Sequence, residues 1–243
     1  MMPQKAPDHI VKSFDEELRR LREQILAMGG RAEAQLADAI NALAKRDSDK
    51  AVRVIESDKG IDAIEMLVAQ DSLKILALRQ PMAKDLREVV AAIKISSDIE
   101  RIGDYAKNIA KRTLQLNQQA PLKPTGSIPR MGDLAIKLIN SVLSAYANDD
   151  AEGLIAAWRS DESIDEMYNS LFRELLTYMM EDPRTIGLCT HLLFVAKNIE
   201  RSGDHCTNIA EVVYHMVRAG HLATNRPKAD TTSETAVPYE AHA

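Results

Sequence analysis

The segment ERIGDYAKNIAKR, Glu100 to Arg112, returns one hundred residues later as ERSGDHCTNIAEV, Glu200 to Val212, with Glu, Arg, Gly, Asp, Asn, Ile and Ala in register. A second pair of segments repeats with it. ESDKGIDAIEM at Glu56 to Met66 aligns with RSDESIDEMYN at Arg159 to Asn169, so that Ser57, Asp58, Ile61 and Asp62 match Ser160, Asp161, Ile164 and Asp165. Such duplication restricts the chain to two copies of one supersecondary unit. The unit must be helical, because apolar residues recur at helical spacing nearly everywhere and no alternating strand pattern competes. Aromatic residues make up only 4% of the chain, and a core built from Ala, Leu, Ile, Val and Met favours helices over sheets.

Strong breakers divide the chain into six long segments. The first runs from about Asp8 to Arg46, and its Gly29-Gly30 pair is expected to loosen or kink it. The second follows Asp47-Ser48 and ends near Gln80; the third opens at Pro81, a residue suited to a first helical turn. Residues 118–129 contain Pro121, Pro124, Gly126 and Pro129 and read as a linker. The same arrangement then returns, from about Met131 to Asn148, from Asp149-Asp150 to about Glu181, and from Pro183 to Gly220. The expected fold is all-α: two pseudo-symmetric three-helix bundles, residues 8–117 and 130–220, followed by a polar, aperiodic tail 221–243 expected to be disordered.

The longest run without Asp, Glu, Lys or Arg is the twelve residues Thr185 to Ala196, too short for a membrane-spanning helix. No secretory signal opens the chain, so a soluble cytoplasmic protein is expected. Cys189 and Cys206 have neither metal-type spacing nor the density of a disulfide scaffold and read as small buried thiols. A net charge of -5 with few aromatics disfavours nucleic acid as a partner.

Ile95, Ile99, Ile102, Ala106 and Ile109 form one helical stripe, and Glu100, Asp104 and Asn108 fall opposite it. In the second copy Glu200, Asp204 and Asn208 lie opposite the stripe of Leu192, Val195, Ile199, Cys206, Ile209 and Val213. The acids are thus expected on a face left open after each bundle has packed. An acidic pair on a polar helix face is most often plain solvated surface. Here, however, Glu100 and Asp104 are four residues apart and repel by about 0.2–0.5 kcal/mol. Glu200 with Asp204, Asp58 with Asp62, and Asp161 with Asp165 repeat that spacing. Gly103 and Gly203 add a mid-helix penalty of about 1 kcal/mol each, explained either by close helix packing or by the approach of an ion or water to the backbone.

Like charges kept at contact spacing in duplicate point to a cation held by carboxylate oxygens. Asp58, Asp62, Glu100 and Asp104 would form one metal site, and Asp161, Asp165, Glu200 and Asp204 its counterpart. Asn108 and Asn208 would supply a carbonyl ligand or orient a neighbouring carboxylate. His215, next to Glu211, and His205, next to Asp204, are weaker ligand candidates; Trp158 reads as packing, and Arg101 and Arg201 as salt-bridge partners or contacts to an acidic protein. There is no nucleophile–base constellation, no glycine-rich phosphate loop and no Glu-x-x-His pair of a di-metal oxidase. A binding or regulatory role is therefore expected rather than an enzyme. The alternative is a metal-dependent enzyme whose open carboxylates activate water.

The doubled ERxGDxxxNIA motif, the SDxxID segments and the phrase LLFVAKNIERSGDHCTNIAEVVY closely resemble the PhoU family, over about Asp8 to Gly220. Tyr105 stands where that family usually has histidine, and Ser202 where isoleucine is common. The resemblance implies surface metal clusters, with iron or zinc in some members, on the acidic motifs; manganese and magnesium suit the same hard ligands. It also implies negative regulation of the phosphate-starvation response, with the ATPase subunit of the phosphate ABC transporter and a sensor histidine kinase as partners. Association with the inner membrane would then come through those partners, and exposed helical faces would suit a homodimer.

Overall fold

The computed structural model describes residues 8–121, 126–222 and 230–232. All regular structure among them is helical. In the first repeat α1 (Asp8–Lys45), α2 (Ser48–Ser57), α3 (Lys59–Arg79) and α4 (Ala83–Leu116) follow one another. In the second, α5 (Ser127–Ala147), α6 (Ala151–Ser160) and α7 (Glu162–Glu181) lead through a short 3₁₀ turn, Pro183–Thr185, into α8 (Ile186–Arg218). No described helix is long and apolar enough to cross a membrane.

The repeat is visible in the corners as well as in the letters. Arg46 and Asp149 both take the left-handed conformation, and Asp47 and Asp150 each send their N–H back to the carbonyls of Ala42 and Ala145 at 2.9 Å. That closes α1 and α5 in the same way. The carboxylates of Asp47 and Asp150 then cap the next helix, accepting from the N–H of Lys50 and Gly153 at 2.8 and 3.0 Å.

Three sequence expectations are corrected. The six-segment all-α plan holds, but the second and fifth segments each carry a one-residue break, at Asp58 and Asp161, between α2 and α3 and between α6 and α7, although both aspartates stay in the right-handed region. The Gly29-Gly30 pair does not interrupt α1, which is one helix throughout. The fourth segment begins at Ser127 rather than near Met131, because Pro129 falls in the first turn, where no N–H partner is required of it. Of the tail, residues 230–232 dock on the second repeat; residues 223–229 and 233–243 lie outside the described residues.

The two repeats share one apolar core. α4 packs against α8 as extensively as against α1, and α1 packs on α5. Gly29 explains that last approach. A side chain there would run into Leu143, and at the equivalent Gly132 it would run into Ile40, the residue matching Leu143 in the first repeat. Each half inserts one branched side chain into the other's glycine notch, so the pseudo-two-fold axis is itself packed.

Candidate functional site

Because α4 and α8 lie at the centre, the side opposite each apolar stripe is largely covered, although Asn108 and Asn208 stay exposed. On α4 it meets α2 and α3, and on α8 it meets α6 and α7. The acids are accordingly not on an open face, contrary to the sequence expectation. Asp58, Asp161, Asp165 and Glu200 retain 3%, 1%, 2% and 4% of their surface, while Asp62, Glu100, Asp104 and Asp204 are half-buried.

In the first repeat Lys107 reaches over one turn to bridge Asp58 Oδ2 and Asp104 Oδ1, the latter at 3.4 Å. Gln35 Nε2 donates to Asp58 Oδ1 at 3.2 Å and to the Gly103 carbonyl at 3.3 Å. Arg101 lies 3.5 Å from Glu100 and 3.4 Å from Asp104, as a salt-bridge role required. Even so, the site holds more acid than its cations offset. Burial, then the Asp104 charge, push Glu100 up to about 7, with Glu65 adding to the effect. Burial and Asp58 likewise raise Asp62.

The second repeat uses a different lysine. Lys197 Nζ sits 2.8 Å from Glu200 Oε1 and 3.0 Å from Asp230 of the docked tail, and it faces the Tyr168 ring at 4.9 Å. Burial alone would lower the Lys197 pKa, but its bonds to Glu200 and Asp230 hold it above the usual value. Burial pushes Glu200 up to about 7 against the pull of Lys197. Glu200 Oε2 is buried without a hydrogen-bond partner among the described residues. Such an orphaned oxygen is uncommon in a packed interior and marks a place where a cation or proton would be welcome.

The motif glycines make room for the aspartates. A Cβ on Gly203 would stand 2.3 Å from Asp161 Oδ1 and 3.2 Å from Ile164. On Gly103 it would stand 2.9 Å from Ile61 and 3.6 Å from Asp58 Oδ1. The glycine thus lets the SD aspartate of one helix sit against the backbone of the ERxGD helix, and the two motifs are one structural unit.

Between the two sites the motif helices cross at equivalent positions. Tyr105 hydroxyl and His205 Nε2 are 3.1 Å apart, and His205 Nδ1 is 2.7 Å from Asp98. Asn208 donates to the same Asp98 oxygen at 3.4 Å, placing it on this seam rather than beside the acids. Asn108 is exposed. His215 is directed to the Gly220 carbonyl and stacks on His221, while Glu211 accepts from Trp158 Nε1 at 2.9 Å. Cys189 and Cys206 are buried free thiols.

Lys107, Lys197, Glu65, Gln35 and Asp230 were not found by sequence reasoning. Lys107 and Lys197 had a signal: each stands three residues from a motif acid, Lys107 after Asp104 and Lys197 before Glu200. Asp230 had none. The donor set suits a hard cation, yet among the described residues no three of His, Cys, Asp and Glu converge in an arrangement ready to hold one. Lys107 pairs instead with Asp58 and Asp104, and Lys197 with Glu200.

A duplicated helical unit, pinned by an SD aspartate against the glycine of an ERxGD helix, defines a class of all-α repeat proteins with paired buried acidic sites. The PhoU domain model matches residues 25–113 and 128–213, one domain per repeat. The chain therefore belongs to the PhoU family. It is 50% identical over 228 residues to the phosphate-specific transport system accessory protein PhoU homolog of Caulobacter vibrioides (strain NA1000 / CB15N), covering 93% of this chain and 99% of that protein. It is 40% identical over 210 residues to phosphate-specific transport system accessory protein PhoU of Escherichia coli (strain K12), covering 86% and 87%. Among solved structures, PhoU from Pseudomonas aeruginosa superposes with a TM-score of 0.83 at 39% identity, covering 85% of this chain and 100% of that one. The phosphate transport system regulatory protein PhoU from Streptococcus pneumoniae gives 0.76 at 30%, covering 86% and 99%.

Proposed function

We propose that this chain is a regulatory accessory protein of phosphate-specific transport, a binding protein rather than an enzyme. It represses the phosphate-starvation response when phosphate is plentiful by linking the ATPase subunit of the phosphate ABC transporter to a sensor histidine kinase. It works in the cytoplasm and meets the inner membrane through those partners. The observation that carries this is the near full-length match to proteins named as accessory to, or regulatory of, phosphate transport.

The surface supports a partner-binding role. On the outer side of α3 and the turn after it, Met66, Leu73, Leu78 and Met82 are 61%, 63%, 69% and 80% exposed. Eight and twenty residues after the aspartate of the α2–α3 break stand Met66 and Leu78; after the matching Asp161 stand Asn169 and Glu181. Met66 and Leu78 are thus apolar where the second repeat is polar, while Leu73 has a counterpart in Leu176; the face suits a partner or a second copy of the chain in a homodimer.

In this proposal Asp58, Asp62, Glu100 and Asp104 hold one metal ion, and Asp161, Asp165, Glu200 and Asp204 a second. Iron, zinc, manganese and magnesium are the candidates, the last two best matched to oxygen ligands. Such an ion would neutralise the excess carboxylate charge and enter in exchange for Lys107 or Lys197. An Asp104→Ala, Asp204→Ala double variant, purified without chelator, is expected to keep its helical circular dichroism and lose most of its metal by elemental analysis. In a deletion strain it would fail to restore repression of a phosphate-responsive gene that the unaltered chain restores. Repression that never depended on the gene would refute the regulatory role, whereas full metal retention by the variant would refute the site.

A further inference from the structure

A cavity of about 310 Å³ opens between α1, α2 and the start of α3 in the first repeat, bordering the acidic site through Gln35, which donates to Asp58 Oδ1. Buried Val54 and Ile61 line its apolar part, and Arg31, Asp38, Lys50 and Arg53 supply its charges. Lys50 pairs with Asp38 at 2.6 Å. Arg31 and Arg53 make no ion pair among the described residues, so two guanidinium groups face the cavity without a counterion. Three cations against one carboxylate leave an excess of two positive charges here, in a chain whose net charge is -5.

The fold does not require these cations. Lys50 and Arg53 come three and six residues after the capping Asp47; the same places after Asp150 hold Gly153 and Ala156. Arg31 comes two residues after the packing Gly29, and Leu134 two after Gly132. Gly60, where the second repeat has Ser163, lets the Arg31 guanidinium lie close to α3: a Cβ there would stand 3.1 Å from Nη1. One backbone is therefore built twice, and only the first copy is furnished with a basic pocket.

We propose that this pocket is an anion site for a small phosphate-bearing ligand. Guanidinium groups bind phosphate oxygens in pairs through charge-assisted hydrogen bonds, and a phosphate monoester near its dianionic form matches the two excess charges. The volume lies at the lower end of small-molecule pockets, which run from about 300 to 1,000 Å³, so free phosphate, pyrophosphate or the phosphates of a nucleotide fit. The pocket adjoins the first acidic site through Gln35, but its test alters neither Gln35 nor any of the acids.

Isothermal titration of the full chain with inorganic phosphate, pyrophosphate and ATP, at physiological ionic strength with sodium sulfate as comparison, decides it. Saturable one-site binding of at least one phosphate ligand is expected, and the strongest binder identifies the source. Arg31→Leu with Arg53→Ala, which installs the residues of the second repeat, should weaken that binding about tenfold or more. Arg53→Ala alone, on an exposed face, serves if the double variant fails to fold. Lys94→Ala with Lys111→Ala, which removes equal charge elsewhere, should leave binding unchanged. No saturable binding of any of the three, sulfate binding as tight as that of the best phosphate ligand, or equal losses in both charge-removal variants would overturn the proposal.

Discussion

Gly203→Ala is expected to destabilise the protein by about 2 kcal/mol, although alanine is the better helix former by about 1 kcal/mol. The added methyl would stand 2.3 Å from the Asp161 carboxylate, a group with only 1% of its surface exposed. Overpacking costs about 1–3 kcal/mol, and disturbing the contacts of a buried carboxylate adds a comparable amount, together exceeding the propensity gain. Gly30→Ala is the matched control. Nothing lies within 4 Å of a Cβ there, so the propensity gain should appear undiminished as about 0.5–1 kcal/mol of stabilisation. Gly103→Ala should fall between them, because its nearest neighbour is the movable end of Ile61. Urea denaturation at pH 7 measures all three. A Gly203→Ala chain as stable as the parent would show that the motif glycine has no part in seating the aspartate.

Glu200→Gln is expected to stabilise chelator-stripped protein at pH 7.5 by about 1–2 kcal/mol and to have little effect near pH 4.5. The sign follows from the direction of the shift. A carboxyl whose pKa rises from 4.5 when unfolded to about 7 when folded binds its proton more tightly in the native state. Its contribution to stability is fully present below pH 4.5 and is lost as the pH climbs through 7. The full shift corresponds to about 3 kcal/mol, reduced here because Lys197 and water relax around the charge. Lys197 keeps Asp230 as a partner in the variant. Loss of stability at pH 7.5, with no trend toward acid, would instead make the Glu200–Lys197 pair a net stabilising contact.

The repeat, the helical content and the acidic residues were legible because each leaves a local signature: periodicity, matched spacing, like charges four apart. The burial of the acids was not. A helical wheel separates an apolar stripe from its opposite side, but it assumes one buried face, whereas α4 and α8 are enclosed from several directions. The break at Asp58 and Asp161 was hidden for a related reason, since neither Gly nor Pro marks it and both residues remain right-handed. The role of Gly29 was misread from the same rule of thumb: it serves the α1–α5 contact through Leu143, a long-range fact that no window of sequence contains. The docking of Asp230 on Lys197 joins residues far apart in the chain and belongs to the same class.

The most direct test of the acidic sites is a manganese titration of chelator-stripped protein at pH 7, run by calorimetry in two buffers of different ionisation enthalpy. Because Glu100 and Glu200 are poised at about 7, a divalent ion that takes their carboxylates must displace protons. Saturable uptake with a heat that differs between the buffers is the expected result, and the Asp104→Ala, Asp204→Ala chain should show neither. Absence of saturable uptake, or uptake with the same heat in both buffers and in the variant, would contradict a role for the paired acids in holding cations.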